Sequence, residues 1–88
     1  MKRKKKQNED AFIPGLAIHY PRLVIDSNRE IVVEGCRGIL AYSNQLVHIR
    51  ADKMELKFQG RNLELRSLTP ENLLVFGELF SIEYVNIK

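Results

Sequence analysis

The side chains best suited to metal binding or nucleophilic chemistry in this 88-residue chain are two histidines and one cysteine. His19 and His48 are 29 residues apart, and neither has a Cys or Glu at the spacing of a zinc motif. His48 falls on the polar side of an alternating segment, where a solvated imidazole is expected. Cys36 lies in an apolar stretch and is expected to be a small buried hydrophobic side chain. The sequence therefore predicts no metal site and no cofactor.

Motifs for nucleophilic or phosphate chemistry are also missing. No G-x-S-x-G sequence supports a Ser-His-Asp arrangement. The segment Gly35-Cys36-Arg37-Gly38 lacks the Lys-Ser/Thr pair and the following helix that a phosphate-binding loop needs. We therefore expect a binding protein with no catalytic residues. A single cysteine fits a reducing, cytoplasmic environment.

The charge distribution separates a basic tail from a slightly acidic remainder. The formal net charge is +3, but without the five residues of the tail, 9 Lys and Arg stand against 11 Asp and Glu. Three interpretations of the tail stay open: a solubilising disordered segment, attraction to an anionic membrane surface, and nucleic-acid contact. The tail consists of Lys2, Arg3, Lys4, Lys5 and Lys6.

Nucleic-acid binding defines the second function hypothesis. A small nucleic-acid-associated β-barrel would combine the tail with arginines on turns and outward strand faces. The tail has no interleaved aromatic residues for base stacking, which disfavours this hypothesis. The arginines concerned are Arg37, Arg50, Arg61 and Arg66.

The elements that would position these residues are β-strands. Apolar and polar residues alternate in the segments 47–51, 54–58 and 80–84, as half-buried strands require. Three runs that are apolar on both faces predict central strands covered on both sides: Leu23-Val24-Ile25, Ile31-Val32-Val33 and Ile39-Leu40-Ala41-Tyr42.

The breaks between strands carry turn-forming residues. Asp26-Ser27-Asn28-Arg29, Ala51-Asp52-Lys53 and Gly60-Arg61-Asn62 predict hairpin links, and Thr69-Pro70 predicts one helical turn or a type I turn. The apolar terminal run 73–87 is either a core strand or an edge strand open to pairing with another chain.

These patterns predict an all-β fold in one small domain, a meander, roll or sandwich of about seven or eight short strands. A short β-solenoid is the alternative, because glycines follow strand-like runs at irregular intervals. Residues 1–10 are expected to form a disordered basic tail and residues 11–88 the domain. The expected core comprises Leu23, Ile25, Ile31, Val33, Ile39, Met54, Leu56, Phe58, Leu63, Leu65, Phe76, Phe80 and Ile82.

Short motifs follow one another in a definite order over residues 15–87. They include Tyr20-Pro21-Arg22, Phe58-Gln59-Gly60-Arg61-Asn62 and Phe76-Gly77-Glu78, and the chain ends in a Ser-Ile-Glu strand. This order resembles the YabP/YqfC family of sporulation proteins from endospore-forming bacteria, and the YqfC branch more closely. Gly35-Cys36 departs from the Asn-His expected there, which removes any role of a family histidine. The motif positions are Pro21, Gly35, Arg37, Gly38, Gly60, Thr69, Gly77 and Glu83.

The resemblance implies a non-enzymatic, all-β protein of the mother cell with a role in late spore maturation. It implies a membrane-bound sporulation protein as partner, and a cytoplasmic location that is peripheral at the forespore membrane. Contact of the basic tail with an anionic membrane agrees with this location. A homo-oligomer is left open. Nucleic acid is a disfavoured partner.

Overall fold

Six β-strands make up the described part of the protein. The computed structural model describes residues 21–87, and these contain no helix. All neighbouring strands pair antiparallel in one sheet of order β1-β2-β6-β5-β4-β3. The all-β prediction is confirmed, and antiparallel pairing differs from the parallel stacking of a β-solenoid. The strands are β1 (Arg22–Asp26), β2 (Glu30–Glu34), β3 (Gly38–Tyr42), β4 (Leu46–Ala51), β5 (Met54–Thr69) and β6 (Asn72–Val85).

Residues 21–87 contain six strands where seven or eight were expected for residues 11–88, and two of the six are long. The segment Gly60-Arg61-Asn62, expected to be a turn, lies inside the 16-residue β5. β5 and the 14-residue β6 form one hairpin, closed by a two-residue turn at Pro70 and Glu71. The turn predicted at Thr69-Pro70 is therefore present, without a helix. Expectations about residues 1–20 lie outside the described residues and stay predictions.

The β5–β6 hairpin bends near its middle. A straight 16-residue strand would span about 50 Å, whereas the longest dimension of the protein is 43 Å. The pairing register shifts between Gln59 and Gly60, and the backbone enters the left-handed region at Asn62 (φ 56°) and Gly77 (φ 138°). Bulges of this kind bend a strand and increase its twist. The bend therefore divides each long strand into two halves, which lie on opposite sides of the molecule.

Two glycines permit the close approach of β5 and β6 at this bend. A Cβ atom on Gly60 would overlap the backbone carbonyl of Glu78. A Cβ atom on Gly77 would lie 2.5 Å from the carbonyl oxygen of Asn62, and the positive φ of Gly77 disfavours other residues as well. The bend therefore requires glycine at both positions.

The turns of the two flanking hairpins are hydrogen-bonded to the bend in the same way. In each case two backbone N–H groups of a long strand donate to two carbonyl oxygens of a turn. The turn of hairpin β1–β2 thus binds β6 in the same way that the turn of hairpin β3–β4 binds β5. The two halves of the sheet are therefore related by an approximate two-fold axis. The donor–acceptor pairs are Gly77–Arg29 (3.0 Å), Leu79–Asn28 (2.8 Å), Gly60–Gln45 (3.1 Å) and Leu63–Asn44 (2.9 Å).

A short connection forces the sheet to curl. β2 and β3 are four places apart in the strand order, which is about 19 Å in a flat sheet. The connection Gly35–Arg37 can reach only about 14 Å. Two backbone hydrogen bonds fix this connection. The N–H of Cys36 donates to the carbonyl of Glu71 (2.8 Å), and the N–H of Arg37 donates to the carbonyl of Arg50 (2.7 Å). The inner faces of the two halves therefore face each other.

The core lies inside this curl and is built from β2, β4, β5 and β6. Alternate side chains of these strands point inward, as the period-two pattern predicted. Leu23, Met54, Leu65 and Ile82 pack against the core as partly buried neighbours. The buried core residues are Ile31, Val33, Val47, Ile49, Ala51, Leu56, Phe58, Leu63, Leu73, Val75 and Leu79.

Three residues expected in the core are exposed instead: Ile25 (51%), Ile39 (53%) and Phe80 (62%). The prediction for Ile25 and Ile39 is wrong because β1 and β3 are the two edge strands, not central strands. A side chain on an edge strand has a neighbouring strand on one side only. Phe80 is the extra residue at the register shift in β6 and has no counterpart on β5.

Candidate interaction surface

The chemistry-bearing side chains of the described residues lie in separate environments. Cys36 is half-buried in the connection between β2 and β3, packs against the core, and its thiol donates to the carbonyl of Gly38 (3.7 Å). His48 lies on the outer face of β4. Residues 21–87 contain no group of three or more His, Cys, Asp or Glu side chains arranged to hold a metal.

His48 is paired with a carboxylate and is not freely solvated. Its Nε2 lies 2.8 Å from Oε1 of Glu55 on the adjacent strand, and its side chain is 20% exposed. Its outward direction was predicted, but this diagonal cross-strand partner was not. Two side-chain hydrogen bonds lower the pKa of Glu55, the larger effect coming from Asn86 and the smaller from His48. The ionised carboxylate of Glu55 thereby holds the imidazole of His48 against the outer face of the sheet.

Three surface grooves formed by residues 21–87 are small. Two have volumes of about 230 Å³ and a third about 260 Å³, below the roughly 300–1,000 Å³ typical of small-molecule sites. One is lined by Ile25, Phe80 and Ile82, and another by Cys36 and Thr69.

The arginines proposed for nucleic-acid contact are all exposed, as predicted, but two have local partners. Arg61 forms two hydrogen bonds with the carboxylate of Glu78, at 3.1 and 3.0 Å, which lower the pKa of Glu78. The guanidinium of Arg61 also lies 5.6 Å from the ring centre of Phe80. The guanidinium of Arg66 lies 5.6 Å from the ring centre of Phe76. These contacts occupy part of the surface that a phosphate would need.

The glycines of the family motif shape the backbone. Gly60 and Gly77 meet at the bend of the long hairpin. Gly35 ends β2 with φ of 91°, and a Cβ atom there would touch Pro21 at 3.4 Å. Gly38, by contrast, begins β3 and has open space where a Cβ atom would be. The structure thus brings Gly60 and Gly77 to the bend, and Gly35 next to Pro21 at the start of β1.

Two of the three polar motif residues lie beside one groove. The Oγ1 atom of Thr69 accepts a hydrogen bond from the N–H of Glu71 (3.3 Å) in the hairpin turn. Arg37 is exposed beside β3 and lines the same groove as Thr69. Glu83 lies elsewhere, exposed on β6 opposite Lys57. The tail residues lie outside the described residues: Lys2, Arg3, Lys4, Lys5 and Lys6.

Exposed apolar side chains are the most distinctive surface feature. They concentrate on the edge strands β1 and β3 and on the second half of β6. Exposed large apolar groups of this kind, when grouped, mark interaction surfaces. Within residues 21–87 they are Val24, Ile25, Ile39, Leu40, Tyr42, Leu68, Phe80, Tyr84 and Ile87.

The long strands create two further open edges beyond the bend. β2 pairs with β6 only over residues 72–76, so residues 81–85 of β6 pair with β5 alone among the described strands. Likewise, β4 pairs with β5 only over residues 54–59, which leaves residues 64–69 with β6 alone. The terminal run that the sequence suggested as either core or edge is both, in successive halves.

Fold and surface together define a small all-β protein whose prominent features are open strand edges with exposed apolar side chains. Residues 19–88 match the model of the YabP family, and the chain therefore belongs to that family. The resemblance to YabP/YqfC proteins predicted from the order of motifs is confirmed.

The chain is also similar to a curated protein, the uncharacterized protein YqfC of Bacillus subtilis (strain 168). The two are 25% identical over 72 residues, which cover 82% of this chain and 77% of the relative. No solved structure matches the chain. Among residues 21–87 there is no helix of the length and apolarity needed to cross a membrane.

Proposed function

We propose that this protein is a non-catalytic interaction and assembly module in late spore maturation. It acts in the mother cell with a membrane-bound sporulation protein as partner, at the forespore membrane. The YabP/YqfC family is associated with sporulation, and the family match spans every described strand. The observation that supports an interaction role is the grouping of exposed apolar side chains on open strand edges.

The distribution of charge supports attachment of the basic tail to an anionic membrane. Residues 21–87 contain eight Lys and Arg against nine Asp and Glu, so the fold itself is nearly neutral. The five consecutive basic residues of the tail precede it. Each basic residue near an anionic bilayer contributes about 1 kcal/mol of binding free energy, and salt screens this attraction over about 8 Å. The tail then supplies attraction to the membrane, and a protein partner supplies specificity.

Co-sedimentation with lipid vesicles tests the membrane part of this proposal. We expect the full chain to sediment with vesicles that contain anionic lipid and not with neutral vesicles. The triple variant Lys4→Gln, Lys5→Gln, Lys6→Gln should lose most of this binding, because it removes three of the five tail charges. The matched control, Arg37→Gln, Arg50→Gln, Lys53→Gln, removes three exposed charges from the fold and should bind like the wild type.

Equal binding to neutral vesicles, or binding that survives neutralisation of the tail, would contradict membrane attachment through the tail. Salt-dependent binding to DNA or RNA that is lost in the control variant and kept in the tail variant would instead support the nucleic-acid hypothesis.

A further inference from the structure

We propose that this protein forms a dimer in which residues 80–84 of β6 pair antiparallel with the same residues of a second copy. This goes beyond the proposed function, because it assigns a self-association surface that does not depend on the sporulation partner. The starting observation is that β6 has a single strand neighbour, β5, over this segment of the described structure. An edge of this kind presents backbone donors and acceptors for pairing with another chain.

The other three open edges carry features that hinder strand pairing. β1 has a charged residue at each end, Arg22 and Asp26. The pairing of β3 with β4 shifts at Leu40, and such a bulge twists an edge away from a partner. The second half of β5 contains Glu64 and Arg66, and its register shifts again close to its end. Charges and bulges of this kind are common protections against edge-to-edge association.

The second half of β6 has little such protection. Residues 81–85 keep an unbroken register with residues 55–59 of β5, so the edge is regular beyond the bulge at Phe80. Residues 80–84 include one charged residue, Glu83, and no proline. Phe80 and Tyr84, at the two ends of this segment, are 62% and 56% exposed. The edge is therefore both open and apolar.

The sequence of this segment is complementary to itself in one register. Antiparallel pairing centred on Ile82 places Phe80 opposite Tyr84 of the second copy, twice, and such aromatic cross-strand pairs are favourable. It also places Ser81 opposite Glu83 of the second copy. A centre at Glu83 would place the two carboxylates opposite each other, and a slip by one residue would put apolar side chains opposite polar ones. The centre at Ile82 is therefore favoured.

The apolar area fits a weak dimer. Aromatic side chains bury roughly 150–250 Å² each when covered, so the exposed parts of Phe80 and Tyr84 in two copies provide roughly 350–600 Å². Ile25 and Ile82 line the adjacent groove of about 230 Å³ and add to this surface. With the backbone of the paired strands, the total approaches the roughly 1,000 Å² at which specific interfaces begin. We therefore expect the dimer to form at micromolar or higher concentrations of the protein.

Sedimentation equilibrium of the full chain with changes at position 81 tests the proposal. In the register centred on Ile82, Ser81→Lys creates two ion pairs with Glu83 across the dimer, whereas Ser81→Glu creates two repulsive contacts. We expect the dimer dissociation constant to fall for Ser81→Lys and to rise for Ser81→Glu, with about a tenfold difference between them. Position 81 is exposed, so both variants should keep the wild-type circular dichroism spectrum.

Covalent trapping gives a second readout of the same geometry. In a Cys36→Ala background, Ile82→Cys should form an intermolecular disulfide on oxidation, because residue 82 then faces its own copy at a distance suited to a disulfide bond. Gln59→Cys on the neighbouring β5 serves as the control and should not cross-link. A chain that stays monomeric at all concentrations, or a dimer that is insensitive to the charge at position 81, would overturn the proposal.

Discussion

Replacing Gly60 or Gly77 with alanine is expected to lower the free energy of unfolding by about 3 kcal/mol or more. At Gly60 a Cβ atom would overlap the carbonyl of Glu78, and at Gly77 it would press on the backbone of Asn62. Neither backbone can move aside, because both belong to the paired bend of the β5–β6 hairpin. Overpacking typically costs about 1–3 kcal/mol, and the positive φ of Gly77 adds to this. A domain of this length has a stability of only about 4–13 kcal/mol.

The matched control is Gly38→Ala. Among residues 21–87, no heavy atom lies within 4 Å of the position that a Cβ atom on Gly38 would take. We expect its free energy of unfolding to differ from the wild type by less than about 0.5 kcal/mol, as for most surface substitutions. Urea denaturation followed by circular dichroism compares the three variants. If Gly60→Ala and Gly38→Ala had the same midpoint, the described bend would be incorrect.

Replacing Phe58 with alanine should have the second large effect. Phe58 is fully buried, and it lies between Val47 of β4 and Ile82 of β6 in the sheet. Truncation of a buried phenylalanine costs about 3–5 kcal/mol, from lost transfer free energy and from the cavity that remains. The variant should therefore unfold at a much lower urea concentration than the wild type, or be largely unfolded in buffer.

Phe80→Ala provides the contrast, because the period-two pattern predicts both phenylalanines to be in the core. Phe80 is 62% exposed and its ring contacts the guanidinium of Arg61. Its loss should change the free energy of unfolding by less than about 1 kcal/mol at concentrations where the protein is monomeric. Equal destabilisation by the two substitutions would show that the second half of β6 is covered in the monomer.

The sequence predicts the strands that bury one face. Alternation in residues 47–51 and 54–58 correctly placed Leu56 and Phe58 inward and His48 outward. Alternation works there because β4 and the first half of β5 lie inside the sheet, with the core on one face and solvent on the other.

The edge strands were not predictable in this way. A run that is apolar on both faces indicates a covered strand, but it does not say whether the cover is the same domain or another molecule. For β1 and β3, no cover is present among residues 21–87, so Ile25 and Ile39 remain exposed. Their sequences agree with edges that other chain segments or partners cover.

The bend was also hidden in the sequence. Gly60-Arg61-Asn62 has the composition of a hairpin turn, and Asn62 does adopt a left-handed backbone conformation. The same residue types form bulges within a strand, and local composition does not separate the two. The distinction depends on Gly77, which is distant in sequence and faces the same bend.

The candidate surface depends on strand lengths that only the structure reveals. The basic tail is visible in the sequence as a run of like charges. The open edge at residues 81–85 arises because β2 is five residues long and β6 is fourteen, so β6 extends past its neighbour. The prediction that the terminal run is either core or edge was therefore correct for each half separately.

The count of heat-resistant spores tests the proposed function most directly, in the bacterium that encodes this protein. A strain lacking the gene should form far fewer heat-resistant spores. A copy of the wild-type gene or of Gly38→Ala should restore the number, and Gly60→Ala should restore fewer spores, because its bend is destabilised. A strain that lacks the gene and still forms the normal number of heat-resistant spores would contradict the role in spore maturation.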